Sequence, residues 1–235
     1  MTKKQSARSG STSTGKPAAP AIDRDKLRAA IRRLGDEYRF YMLDDAIDLL
    51  PPAKLARLVS GYLDVKKLRP DATGQRDLLA EVQAFDTASR AGKYYESFDV
   101  NSKNSMGKST GTRAFIADCN RLVRRCISQA SKGVAAETLQ AIELILGVLR
   151  HVDKCQDDVV FFADEGGSWQ VNVDWAKLLP AWFACLSRTT RPDEYAHRVI
   201  EVVDEFVKHD RDRQLSAALR IGTASQRKAL RSLKP

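Results

Sequence analysis

Apolar residues recur at spacings of three and four along most of this chain, the signature of helices that each bury one face. Leu27, Ala30, Ile31 and Leu34 share a face that starts after Asp23 and stops at Gly35. Phe40, Leu43, Ile47 and Leu50 form the next stripe, over 36–50. Pro51 and Pro52 end it, and Pro52 suits the first turn of a third helix with Leu55, Leu58, Val59 and Tyr62 inward. The pattern predicts further helices over 76–91 and from a Thr112 cap to Gly133, the latter carrying Ile116, Cys119, Val123, Cys126, Ile127 and Ala130. The 135–152 stretch is apolar almost all round, so it should be the central element. Helices from Asp174 to Leu186, disturbed at Pro180, and over 193–208 follow, then two short basic helices. Short connections imply antiparallel neighbours.

Two segments break the helical rhythm. Gly92 to Thr112 is the longest stretch without periodicity, and Val159 to Val173 reads as a β-hairpin: two β-rich runs around Gly166-Gly167, with Trp169, Val171 and Val173 alternating. The expected fold is therefore mostly α, built of antiparallel helical hairpins with one short β-hairpin near 159–173. Helix pairs at roughly 40-residue spacing are compatible with a HEAT- or armadillo-like stack.

Charge changes the picture of organisation. Met1 to Ile22 carries Lys3, Lys4, Arg8 and Lys16 with no acid, and His209 to Pro235 has seven bases against Asp210 and Asp212. These ends contribute +4 and +5, the whole formal +9, so residues 23–208 are neutral, with 28 bases and 28 acids. The expected domains are a disordered basic tail over 1–22, whose Ser/Thr/Gly/Pro composition cannot offset its ordering entropy, a neutral helical domain over 23–208, and basic C-terminal helices over 209–235 packed on it or extending from it. No uncharged apolar run reaches the roughly 20 residues of a membrane helix, and the basic start leads into polar residues, so a cytoplasmic address with no membrane partner is expected.

Candidate chemistry is sparse. Gly107-Lys108-Ser109-Thr110 ends like a phosphate-binding loop, but the glycine needed five positions before the Gly-Lys pair is Ser102. A weaker anion site remains where Asn101, Ser102, Lys103, Asn104, Lys108, Ser109 and Thr110 feed donors into a helix start. Cys119 and Cys126 lie seven residues apart, about 10 Å along a helix, too far to share one zinc ion; with His151 and Cys155 they make no convincing set. The acids Asp157, Asp158, Asp164, Glu165 and Asp174 do not follow a calcium-loop spacing. His151, His197 and His209 adjoin no nucleophile motif, so no catalytic residue, metal or cofactor is expected. Asn120, Arg121, Arg124 and Arg125 on one helix face read as a solvated surface, with phosphate contact as the functional alternative.

Tyr94-Tyr95-Glu96-Ser97-Phe98-Asp99-Val100-Asn101-Ser102-Lys103-Asn104, together with Phe162 to Trp175 (FADEGGSWQVNVDW), resembles an uncharacterised family of bacterial, mostly helical proteins. The resemblance covers most of the chain after the tail. It implies a bacterial cytoplasmic protein of shared fold, and brings no activity, cofactor or catalytic residue.

The leading expectation is a non-enzymatic helical scaffold or protein-interaction module. Its surface would be Tyr94, Tyr95, Asn101, Lys103, Asn104, Lys108, Asp164, Glu165 and Trp169, polar and aromatic insertions on a regular helical body. Two alternatives stand beside it. One is a nucleic-acid accessory protein contacting phosphates through Lys3, Lys4, Arg8, Lys16, Arg220, Arg227, Lys228 and Arg231. The other is a binder of a small anionic ligand at the 101–112 loop.

Overall fold

The computed structural model describes residues 22–68, 77–102, 104–105, 107–154, 158–163 and 166–233, the side chains of Glu37 and Asp48 apart. Among them are ten α-helices: α1 (Arg24–Arg33), α2 (Asp36–Leu49), α3 (Pro52–Val59), α4 (Leu78–Arg90), α5 (Thr110–Ser131), α6 (Ala136–Val152), α7 (Trp175–Thr189), α8 (Pro192–Phe206), α9 (Arg211–Ile221) and α10 (Ala224–Leu233). The protein is mostly helical, as the periodicity predicts. The expected 1–22 tail falls almost wholly outside the described residues.

The chain divides into two units, Met1–Leu43 and Asp44–Pro235. The first holds α1 and the start of α2. Asp23 caps α1 by accepting from the amides of Asp25 and Lys26, and Arg32 and Arg33 close it with charge suited to a helix C-terminus. No described residue of this unit is buried.

In the second unit, helices pack with the neighbour after next as well as with the next one. α4 lies along α6 and α8 along α10, while α5 lies along α7 and α7 along α9. Each helix from α4 to α10 also touches its successor in sequence. Phe115, Leu122, Ile142, Ile145, Leu146, Leu149, Leu178, Leu179, Trp182, Phe183, Leu186 and Tyr195 are fully enclosed between them. At roughly 1.5–3 kcal/mol for each fully buried large apolar side chain, this core is the main stabilising term. α6 supplies four of these side chains and α7 five, so α6 shares the central place expected for it with α7.

The α5 face that reads as solvated is instead a seam of ion pairs. Arg121 and Arg125 both bond Glu81 of α4, Arg121 also bonds Asp118, and Arg124 reaches Asp44 and Asp45. Asn120 donates to the Val171 carbonyl at 2.8 Å. Burial by itself would raise the Glu81 pKa, but hydrogen bonds from Arg125 and Arg121 outweigh it and hold the carboxyl below its ordinary value.

The predicted β-hairpin is not there among the described residues. Ser168–Val171 is a 3-10 turn, followed by Asn172 in the left-handed region at φ 55°. Phe162 pairs instead with Lys108, in a single antiparallel bridge. Alternation misled because this turn also points Trp169 outward and Val171 and Val173 inward. Asp153 fixes the turn, accepting from the Ser168 amide at 2.7 Å and its hydroxyl at 2.8 Å.

Candidate functional site

The two non-periodic segments, far apart in sequence, meet in space. α4 ends in Gly92 at φ +73°, and a Cβ there would lie 3.2 Å from the Asp158 carbonyl, so the 92 turn and the 158–163 segment are in close approach. Beyond it, Lys108 bridges to Phe162, and the Thr112 hydroxyl donates to the Phe161 carbonyl at 2.8 Å. Phe161 stands edge-on to Phe98 at 5.2 Å and to Tyr95 at 6.3 Å between ring centres. Edge-to-face geometry of this kind adds to simple burial.

Asn104 organises the turn between these anchors. Its side chain accepts from the Asn101 amide at 2.7 Å and donates to the Asp99 carbonyl at 2.8 Å, and its carbonyl receives the Gly107 amide at 2.7 Å. Asn104 therefore shapes the loop, while Asn101 remains exposed. Lys103, Asp164 and Glu165 lie outside the described residues.

Tyr94 is core rather than surface, a correction to the candidate set. It is 6% exposed, packs against Phe85 and Phe115, and donates to Asp118 Oδ2 at 2.8 Å. Burial, then the Asp118 hydrogen bond, push its phenol well above the usual range. Tyr95 is half-exposed, and Trp169 is 68% exposed with its ring laid over Gly167.

The start of α5 supplies its own anion. Ser109 caps it through the Thr112 amide at 3.0 Å, and Glu96 Oε2 accepts from the Gly111 amide at 2.8 Å. The helix thus begins two to three residues earlier than Thr112 would place it. The carboxylate of Glu96 occupies the position a phosphate would take, which argues against an anionic ligand at this loop. Glu96 and Asp153 were invisible to sequence reading because each reaches an amide 15 residues away, with no local motif.

Acid–base and nucleophilic groups are engaged elsewhere. His151 Nε2 lies 2.7 Å from Asp158 and Nδ1 lies 3.4 Å from Arg90 Nη1. A guanidinium only donates, so Nδ1 accepts and Nε2 carries the proton given to Asp158. This is the acid–imidazole half of a triad with a cation where a hydroxyl or thiol would be needed. Cys119, Cys126 and Cys185 are buried; burial first of all pushes the Cys119 and Cys126 thiols up to about 12, the reverse of an activated nucleophile. No three His, Cys, Asp or Glu side chains among the described residues are grouped to hold a metal ion. Cys155 lies outside them.

Of the basic candidates, Arg220, Lys228 and Arg231 are exposed on α9 and α10, and Arg227 donates to the Gly222 carbonyl at 3.0 Å. Lys3, Lys4, Arg8 and Lys16 lie outside the described residues. No helix is long and apolar enough to cross a membrane among the described residues. No family model matches the chain, and neither a curated protein nor a solved structure matches it, so the resemblance drawn from residues 94–104 and 162–175 gains no support there.

Proposed function

We propose that the chain is a non-enzymatic helical scaffold that binds a protein partner through the surface of Tyr95, Phe98, Phe161 and Trp169. The observation that carries this reading is the interlock of the two loops: main-chain and aromatic contacts stiffen the 95–112 and 158–163 segments, and Trp169, on the turn that Asp153 pins, is left in water. A rigid, exposed aromatic on a fixed backing loses little entropy on binding, which is what makes such residues anchors. The imidazole held between Asp158 and Arg90 and the two thiols pushed up in pKa support a binder over an enzyme. Packing of α4 on α6, α8 on α10, α5 on α7 and α7 on α9 supports a HEAT-like stack as the scaffold.

A photo-crosslinking residue placed at position 169 of the full chain tests the proposal in cells. A discrete protein adduct is expected, lost when Tyr95→Ala and Phe98→Ala are added with circular dichroism unchanged. Adducts identical to those from a crosslinker at exposed Leu63 would overturn it.

A further inference from the structure

Three turns of the second unit come together at one end of the helices. α5, α7 and α9 pack side by side, and the turns that follow them lead into α6, α8 and α10. A Cβ on Gly133, in the α5–α6 turn, would lie 3.5 Å from Arg188 Nη1, which places the α7–α8 turn against it. Gln226, 2% exposed, donates to the Ser187 and Thr190 carbonyls at 3.0 and 3.3 Å, which fixes the start of α10 to that same α7–α8 turn. Tyr195 completes the end, its hydroxyl donating to the Ala218 carbonyl at 2.8 Å near the close of α9.

Lys132, Arg188, Arg191, Arg220, Arg227 and Lys228 all belong to this end, and all but the half-buried Arg227 are exposed. The stretches 119–136, 175–192 and 213–233 that build it contain no acid at all. The carboxylates facing it are Glu137, Asp193 and Glu194, first-turn residues of α6 and α8, and Glu194 lies 3.5 Å from Arg198. Bases at helix C-termini are ordinary complements of the helix dipole, and that accounts for Lys132, Arg188 and Arg220. It does not account for Arg191, which sits at the start of α8, or for Lys228 in the first half of α10, whereas Arg227 donates to Gly222 at the close of α9.

We infer that this end of the 44–235 unit is a binding site for the phosphodiester backbone of a nucleic acid. Stacked helices lie about 8–10 Å apart, so bases carried on three successive turns span roughly 20 Å, the reach of several consecutive phosphates. The ligand is read as backbone charge without sequence preference, because the turns present cations and no groove-filling element. An anionic bilayer fits less well: the large apolar side chain exposed in these turns is Val134, too little to insert. The site is separate from the loop surface proposed above and differs from the two-tail reading in needing Lys132, Arg188 and Arg191 and none of the first 21 residues.

The test measures binding of the full chain to single-stranded and duplex 30-mers across a salt series, with phosphatidylglycerol vesicles as a parallel probe. With about four phosphate contacts, affinity should fall with a log–log slope near −3, roughly sixtyfold between 50 and 200 mM salt. Arg188→Glu, Arg191→Glu, Arg220→Glu and Lys228→Glu together should weaken binding at least tenfold and flatten that slope. The matched set Lys54→Glu, Arg57→Glu, Lys66→Glu and Lys67→Glu, equal in net charge and exposed elsewhere, should cost less than threefold. Where the reversed set fails to fold by circular dichroism, the same four positions as Gln should still weaken binding at least threefold. Equal losses from both sets, no oligonucleotide binding at 50 mM salt, or binding to vesicles alone would overturn the inference.

Discussion

Single residues set the tightest constraints. A Cβ on Gly111 would sit 2.3 Å from the Tyr94 carbonyl, backbone against backbone with no flexible side chain to yield. Gly111→Ala should therefore cost at least about 2 kcal/mol and lower Tm by about 4–8 °C. Gly61→Ala, with nothing within 4 Å, should leave Tm unchanged or slightly higher in the same thermal scan. Glu81 is the residue with the clearest pH consequence. Its pKa is depressed in the folded state, so the stability it contributes is present above its ordinary value of 4.5 and is lost as pH falls through the folded value. Glu81→Gln should cost about 2–3 kcal/mol at pH 7, since it leaves Arg121 and Arg125 poorly paired at a side chain only 16% exposed. Urea titrations should show the gap to wild type shrinking below about pH 4. A gap that stays constant to pH 3 would show that the pairs contribute nothing through charge.

Elements differ in how firmly they are held. No described residue from 22 to 68 is buried, and Leu43, Ile47, Leu58 and Tyr62 stand 59, 52, 51 and 86% exposed on α2, α3 and the turn after them. Helices of 8–14 residues with no fully buried side chain among those described are marginal in water. Amides of α1 to α3 should thus exchange with solvent well before those of α6 and α7, by hydrogen–deuterium exchange read at peptide level. Exchange as slow as α6 would mean that a second molecule covers them in solution. The same elements show what was legible in the sequence. Amphipathic stripes placed α4, α6, α7 and α8 within two or three residues at each end, because one buried face dictates the period. At 168–173 the period failed, since a 3-10 turn and one left-handed residue mimic strand alternation. The α5 arginines looked solvated because their partners, Glu81, Asp44 and Asp45, lie 40 to 80 residues away, and pairing at that distance leaves no local mark.

At the scale of the molecule, sequence accounting assigns the net charge to the two termini, and folding redistributes it. Internal turns at 132 and 188–191, neutral in the running sum, join the C-terminal helices at one end of the 44–235 unit. The C-terminal share of the net charge is then part of an oriented patch rather than an appendage. Meeting of the 92–112 and 158–163 segments was likewise unreadable in advance, since backbone bonds such as Lys108 to Phe162 carry no side-chain signature. The three tryptophans of the chain, finally, sit in three different surroundings: Trp182 fully enclosed with its indole N–H on Glu143, Trp175 stacked on Phe206 at 4.9 Å, and Trp169 open to water. Under ultraviolet excitation the red edge of the emission belongs to Trp169, and iodide in the buffer will extinguish it ahead of the other two. The molecule is therefore born with an optical label at the patch where a partner would dock.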